Sequence, residues 1–142
     1  MRIAVLSDTH NRLPQSVCDQ IVGADEIWHL GDVCSPSILV QLERIAQVRV
    51  VRGNCDDEVN WPLILEFEIE GTCIHLEHIP TKPPPRCDLF LHGHTHLPRD
   101  EVIGGVRFLN QGCVTRSRGA GNSYAWLTLK RDEPIRWKLV EI

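Results

Sequence analysis

The sequence predicts a strand-rich α/β sandwich in which two sheets share one core, folded as a single domain over residues 1–142. Three observations predict it. The first half alternates short apolar runs with helical patterns, the second half is almost all strand-like, and 142 residues suit one domain.

The elements follow in order. Arg2 to Leu6 reads as a buried strand, and Pro14 then opens a helix with Val17, Cys18, Ile21 and Val22 on one face. Glu26 to Leu30 is a second short strand, stopped by Gly31. Ser35-Pro36 is an N-cap with proline at the first helical position, and Ile38, Leu39, Leu42, Ile45 and Ala46 follow at helical spacing. Val48 to Val51 is the third strand. This order predicts a parallel sheet covered by helices. Beyond residue 47 no strong helix is visible. Leu63 to Glu70 and Thr72 to His78 read as strands joined at Glu70-Gly71, and Asp88 to His92 as another. Glu101 to Ile103 and Val106 to Leu109 read as a hairpin across Gly104-Gly105, and Tyr124 to Leu129 and Ile135 to Val140 as the final strands. Four prolines between Ile79 and Arg86 make that stretch a stiff loop.

Composition excludes several classes. The chain is 42% hydrophobic and 24% charged, with net charge −4, so it carries no global field for nucleic acid or an anionic membrane. No run approaches the ~18 apolar residues of a membrane span, and no signal peptide is visible. Six cysteines stand at 18, 34, 55, 73, 87 and 113, with no C-x-x-C pair. They read as reduced thiols of a cytoplasmic protein.

Polar clusters repeatedly follow apolar strands: Ser7-Asp8-Thr9-His10, Gly31-Asp32, Arg52-Gly53-Asn54-Cys55-Asp56, and His92-Gly93-His94-Thr95-His96. Strand ends on one rim of an α/β sheet are where sites are built. Imidazole nitrogens with carboxylate oxygens suit Zn, Mn, Fe, Ni or Co better than calcium. In Asp8-x-His10 and His94-x-His96, skipping one residue points two side chains the same way. Asp32 carries two oxygens and can bridge two ions; Asn54 offers a neutral one.

With these motifs in this order, the chain resembles the calcineurin-like metallophosphoesterases, in particular their small bacterial and archaeal phosphodiesterases. The resemblance runs through SDTH at 7–10, GDV at 31–33, RGNCD at 52–56, HGHTHLP at 92–98 and NQGCV at 110–114. It implies a four-layer α/β sandwich with two central mixed sheets. It also implies two divalent ions per chain, manganese first, with nickel, iron, zinc or cobalt as other occupants. Carried over by position, Asp8, His10 and His96 hold one ion, Asn54, His94 and a further histidine the second, and Asp32 bridges them. Asp32, Asn54 and His94 are the implied catalytic residues. The implied reaction is hydrolysis of a small phosphodiester or phosphomonoester by a hydroxide shared between the ions, with the diester favoured.

The chain departs from the family at one ligand. A Thr-His-Gly-His run is usual, whereas residues 72–80 read TCIHLEHIP. Counting without a gap from the turn Glu68-Ile-Glu-Gly71 puts His78 on the family's first histidine, at the strand's end. His75 then falls mid-strand on the opposite face. Cys55 stands where many larger relatives have a histidine that helps protonate the leaving group. Asn11, Arg12 and Cys55 are candidate substrate contacts. Arg116 and Arg118 are read as a solvated loop, with phosphate contact as the alternative, Asp56 as a turn residue, with orienting the site as the alternative, and His29 and His92 as core or supporting residues. Trp28, Trp61, Trp126 and Trp137 show no stacking pattern for single strands and read as core or as a homo-oligomer contact. A small acidic chain leaves no room for the capping elements of nucleases in this family, which argues against nucleic acid as a partner; turnover of short oligonucleotides against small diesters separates the two readings. The alternative function is a catalytically inactive scaffold or interaction protein of the same fold, like one retromer subunit.

Overall fold

The computed structural model describes residues 1–82 and 85–142. Ten strands and two helices follow one another: β1 Arg2–Leu6, α1 Gln15–Gln20, β2 Glu26–His29, α2 Pro36–Glu43, β3 Gln47–Val50, β4 Ile64–Ile69, β5 Thr72–Glu77, β6 Leu89–Leu91, β7 Pro98–Ile103, β8 Val106–Gln111, β9 Ser123–Thr128 and β10 Arg136–Glu141. They form two five-stranded mixed sheets, ordered β10-β9-β1-β2-β3 and β4-β5-β6-β8-β7.

The parallel core of the first sheet, β1-β2-β3, is the one the alternation of strand and helix predicts. In the second sheet β5, β6 and β8 run parallel, flanked by antiparallel β4 and β7. β1 shows how one strand serves two cores. Ile3 and Val5 face the second sheet, packing with Trp28, Leu76, Leu91 and Leu109. Ala4 and Leu6 point the other way, to Val17 of α1 and Leu39 and Leu42 of α2. Both sets are fully buried, which explains an unbroken apolar run at Ile3 to Leu6 in place of alternation. On the outer face of the second sheet, which carries no helix among the described residues, Phe90, Val106 and Phe108 cluster with Cys87.

Several expectations change in detail. α1 stops at Gln20 and Val22 is exposed, so it is not on the buried face. α2 stops at Glu43; Ile45 and Ala46 pack against the helical core from the turn beyond it. Ser35 has the extended backbone of an N-cap, but its hydroxyl pairs with Ser37 and caps no amide. β7 starts at Pro98, three residues before the predicted strand, because its exposed surface gives no apolar signal. Gly104 and Gly105 both have positive φ, as the two-residue hairpin turn between β7 and β8 requires. Trp28 and Trp126 are buried, and Trp61 and Trp137 are half-buried against the two cores. Of the four prolines in the predicted stiff loop, those at 83 and 84 lie outside the described residues. No helix of the described residues is long and apolar enough to cross a membrane.

Candidate metal centre

β1, β2, β3, β5 and β6 all end on one rim, and the segments leaving them converge. Asp8, His10, Asp32, His94 and His96 each take a positive φ, between 45° and 68°. Non-glycine residues adopt this region rarely and at a cost, and tend to do so at functional sites. The turn is held by long-range backbone bonds: the Asp8 amide donates to Gly31 O at 3.0 Å and the His10 amide to Asp32 O at 3.0 Å.

Asp8 is fully buried at the centre. Its Oδ1 lies 3.0 Å from His96 Nε2, 3.6 Å from His10 Nε2 and 3.9 Å from His78 Nε2. Its Oδ2 accepts from the Ser7 hydroxyl and from the His94 amide at 3.3 Å. Asp32, almost fully buried, sets Oδ2 3.3 Å from His78 Nε2 and 3.7 Å from His10 Nε2, while Oδ1 accepts the Cys55 amide at 2.9 Å. Asn54 Oδ1 lies 3.1 Å from both His78 Nε2 and His94 Nδ1. All seven candidate ligands are therefore brought together, in overlapping sets: Asp8, His10 and His96 form one tight group, and Asp8, Asp32 and His78 another.

The donor chemistry fits divalent metal. His78 Nδ1 donates to Leu30 O at 2.7 Å and His96 Nδ1 to Arg116 O at 2.8 Å. Each bond takes up the Nδ1 proton and turns Nε2 toward the carboxylates, which is how backbone carbonyls orient metal-binding imidazoles. His10 Nε2 is buried with no hydrogen-bond partner, an orphan that a cation would satisfy. Burial works to raise the Asp32 pKa, but the His78 hydrogen bond, the Cys55 amide and the charges of His78 and His10 outweigh it, holding the carboxyl below its usual range. His78 is the complement: burial lowers it, yet the Asp32 bond and the charges of Asp8 and Asp32 raise it overall.

His75 stands apart. It is buried mid-strand, with Nδ1 2.9 Å from Glu66 Oε1 and Nε2 3.0 Å from Glu77 Oε2, stacked on Phe90. His29 and His92 are supporting residues: His29 Nε2 meets the Thr9 hydroxyl at 3.1 Å, and His92 Nε2 meets the Arg99 guanidinium at 3.1 Å.

An open cleft of ≈ 330 Å³ runs over the centre, bounded by His10, Asp32, Asn54, His94 and His96 below and by Cys55, Arg116 and Arg118 around its edge. Arg116 and Arg118 thus line the site, as the less favoured of the two sequence readings, phosphate contact, requires. Asn11 and Arg12 are exposed and lie outside the cleft lining. Burial and the Asp32 carboxylate push the Cys55 thiol up. Sequence reasoning also undervalued Asp56. Its Oδ2 accepts the amides of Asp32 at 2.9 Å and Gly53 at 2.7 Å, and its Oδ1 that of Cys34 at 2.8 Å. The only signal was its place in RGNCD, two residues after Asn54. The Ser7 and Gln111 side chains that brace Asp8 likewise sit inside recognised motifs, without a residue type that announces the role.

Residues 1–132 match the calcineurin-like phosphoesterase superfamily domain. A probable metallophosphoesterase of Methanothermobacter thermautotrophicus is 33% identical over 137 residues, covering 83% of this chain and 80% of that protein. Among solved structures, the phosphoesterase YfcE from E. coli superposes with a TM-score of 0.76 at 27% identity, covering 100% of both chains. Vps29 from Entamoeba histolytica, complexed with zinc, superposes with a TM-score of 0.79 at 22% identity over 99% of this chain and 98% of its own; that likeness is one of fold.

Proposed function

The chain belongs to the calcineurin-like phosphoesterase superfamily, and from that premise we propose that it hydrolyses small phosphodiesters at a centre of two divalent metal ions. The observation that carries the reading is the convergence of four imidazoles and two buried carboxylates on one rim, with the buried His10 Nε2 left unpartnered. When bound, two such ions supply a hydroxide nucleophile at neutral pH and offset the charge of the phosphate.

The chain's own residues do the rest. Asp8, His10 and His96 would hold one ion, Asn54, His78 and His94 the other, and Asp32 would serve both. Leu30 O and Arg116 O fix the tautomers of His78 and His96. Arg116 and Arg118 bind phosphate oxygens from the open side, since an always-charged planar guanidinium suits phosphate. Cys55 borders the cleft as a neutral thiol, neither nucleophile nor acid. Diester preference is supported by the phosphodiesterase YfcE, 29% identical over 165 residues. Manganese is the first candidate metal. Six unpaired cysteines suit a cytoplasmic setting.

The test is metal content and turnover together. Protein loaded with manganese, nickel or zinc should bind about two ions per chain and hydrolyse bis(p-nitrophenyl) phosphate faster than p-nitrophenyl phosphate. Two bound ions with no turnover of any ester would instead support a scaffold role on this fold.

A further inference from the structure

The centre opens on a second side. Asn54 and His78, both in the proposed ligand set, also form one wall of a groove of ≈ 540 Å³. The groove runs from the end of β3 past the start of β4 to Ile79. Its apolar surface is Leu63, Ile64 and Ile79, which are 56%, 44% and 48% exposed. Its charged surface is Asp57, Glu58 and Glu77, with the buried Asp56 behind them, against one guanidinium, Arg52. Glu77 is fixed: Oε2 lies 3.0 Å from His75 Nε2 and accepts the Thr81 hydroxyl, so one carboxylate is pre-set beside the proposed ligand His78. This gives the buried His75 a role, holding the groove wall.

The two openings therefore differ in sign. Toward Arg116 and Arg118 the rim is cationic; toward Asp57, Glu58 and Glu77 it is acidic and apolar, and Asn54 is common to both. A phosphoester has the same asymmetry when its alcohol carries a positive charge. The phosphate is drawn to the guanidiniums, and a cationic, apolar alcohol fits the acidic groove. A second anion on the alcohol side would face a net excess of carboxylate and be disfavoured.

We propose that this groove is the subsite for the alcohol portion of the ester, and that it takes a small apolar alcohol bearing a positive charge, of the amino-alcohol or quaternary-ammonium kind. The proposal rests on the phosphoesterase reading above. The acidic groove selects by charge, so its effect falls on KM.

Two substrates of matched shape test it: the p-nitrophenyl phosphodiesters of choline and of 3,3-dimethylbutanol, which differ by one positive charge. The choline ester should have a kcat/KM about tenfold higher, or about 1.4 kcal/mol, carried by KM. That ratio should shrink toward one in the Asp57→Asn/Glu58→Gln double variant and in high salt. Equal kcat/KM for the pair, or a ratio unchanged in the double variant, overturns the subsite. If neither ester nor bis(p-nitrophenyl) phosphate is hydrolysed by the metal-loaded protein, the phosphoesterase reading itself fails.

Discussion

Asp56 grips Asp32 by its backbone. The Asp56 Oδ2 accepts the Asp32 amide at 2.9 Å, while its Oδ1 accepts the Cys34 amide at 2.8 Å. The loop after β2 is thereby tied to the loop after β3 by one buried carboxylate. Asp56→Ala leaves three amides without an acceptor, so it should cost about 3 kcal/mol. Metal affinity should fall with it. Urea unfolding of the metal-free protein and a metal titration check both; unchanged affinity would mean that Asp32 keeps its place unaided.

Asp32→Asn tests the proposed shared ligand directly. The amide keeps the shape but loses the charge that His10 and His78 face. Metal content and turnover should both drop, with the far-ultraviolet circular dichroism spectrum unchanged. Full metal occupancy in the variant would remove Asp32 from the ligand set.

His78 and His75 should separate cleanly. His78→Ala should remove about one ion per chain, as loss of one site of a pair implies. His75→Ala should keep both ions, because its two nitrogens are already engaged by Glu66 and Glu77. Elemental analysis of the purified variants decides it, and loss of metal from His75→Ala would reverse the assignment.

Gly53→Ala should damage the centre by sterics alone. A Cβ there would meet Asp32 Oδ1 at 2.1 Å and the Asp32 amide nitrogen at 2.4 Å. Overpacking of this kind costs about 1–3 kcal/mol. The loss should appear as weakened metal binding together with a lowered Tm.

His29 should stay neutral in mildly acid solution. Burial, then the charge of His78, lowers its pKa to about 3 from an ordinary 6.5, against the opposing pull of Asp32. Between those values the unfolded chain binds the proton and the folded one does not. The stability His29 contributes is thus fully present above pH 6.5 and is lost as pH falls toward 3. Side-chain nitrogen NMR of the metal-free protein should show a neutral imidazole at pH 5; a protonated ring there would contradict this.

The sequence carried the centre further than it carried the edges of the fold. Asp8, His10, Asp32, Asn54, His94 and His96 were legible because each follows a short strand, and the strands themselves place them on one rim. His78 was legible through the turn at Gly71 and the period of β5. What escaped was chemistry made through space. Leu30 O, Arg116 O and Asp56 act across 48, 20 and 24 residues of chain, and no local pattern encodes such partners. The ends of α1 and α2 escaped because apolar residues at helical spacing, Ile21 and Ile45 among them, continue into the turns beyond and pack in the same core, and the start of β7 escaped because its exposed residues carry no apolar alternation.

The position of β1 sets a timetable for biosynthesis. It lies between β2 and β9, so residues 2–6 pair on one side with 26–29 and on the other with 125–128. The Asp8–His96 contact spans 88 residues. A chain emerging from the ribosome can pair β1 with β2 at once, yet the other edge of β1 stays open until β9 is made. For most of translation that edge is an unpaired template for foreign strands.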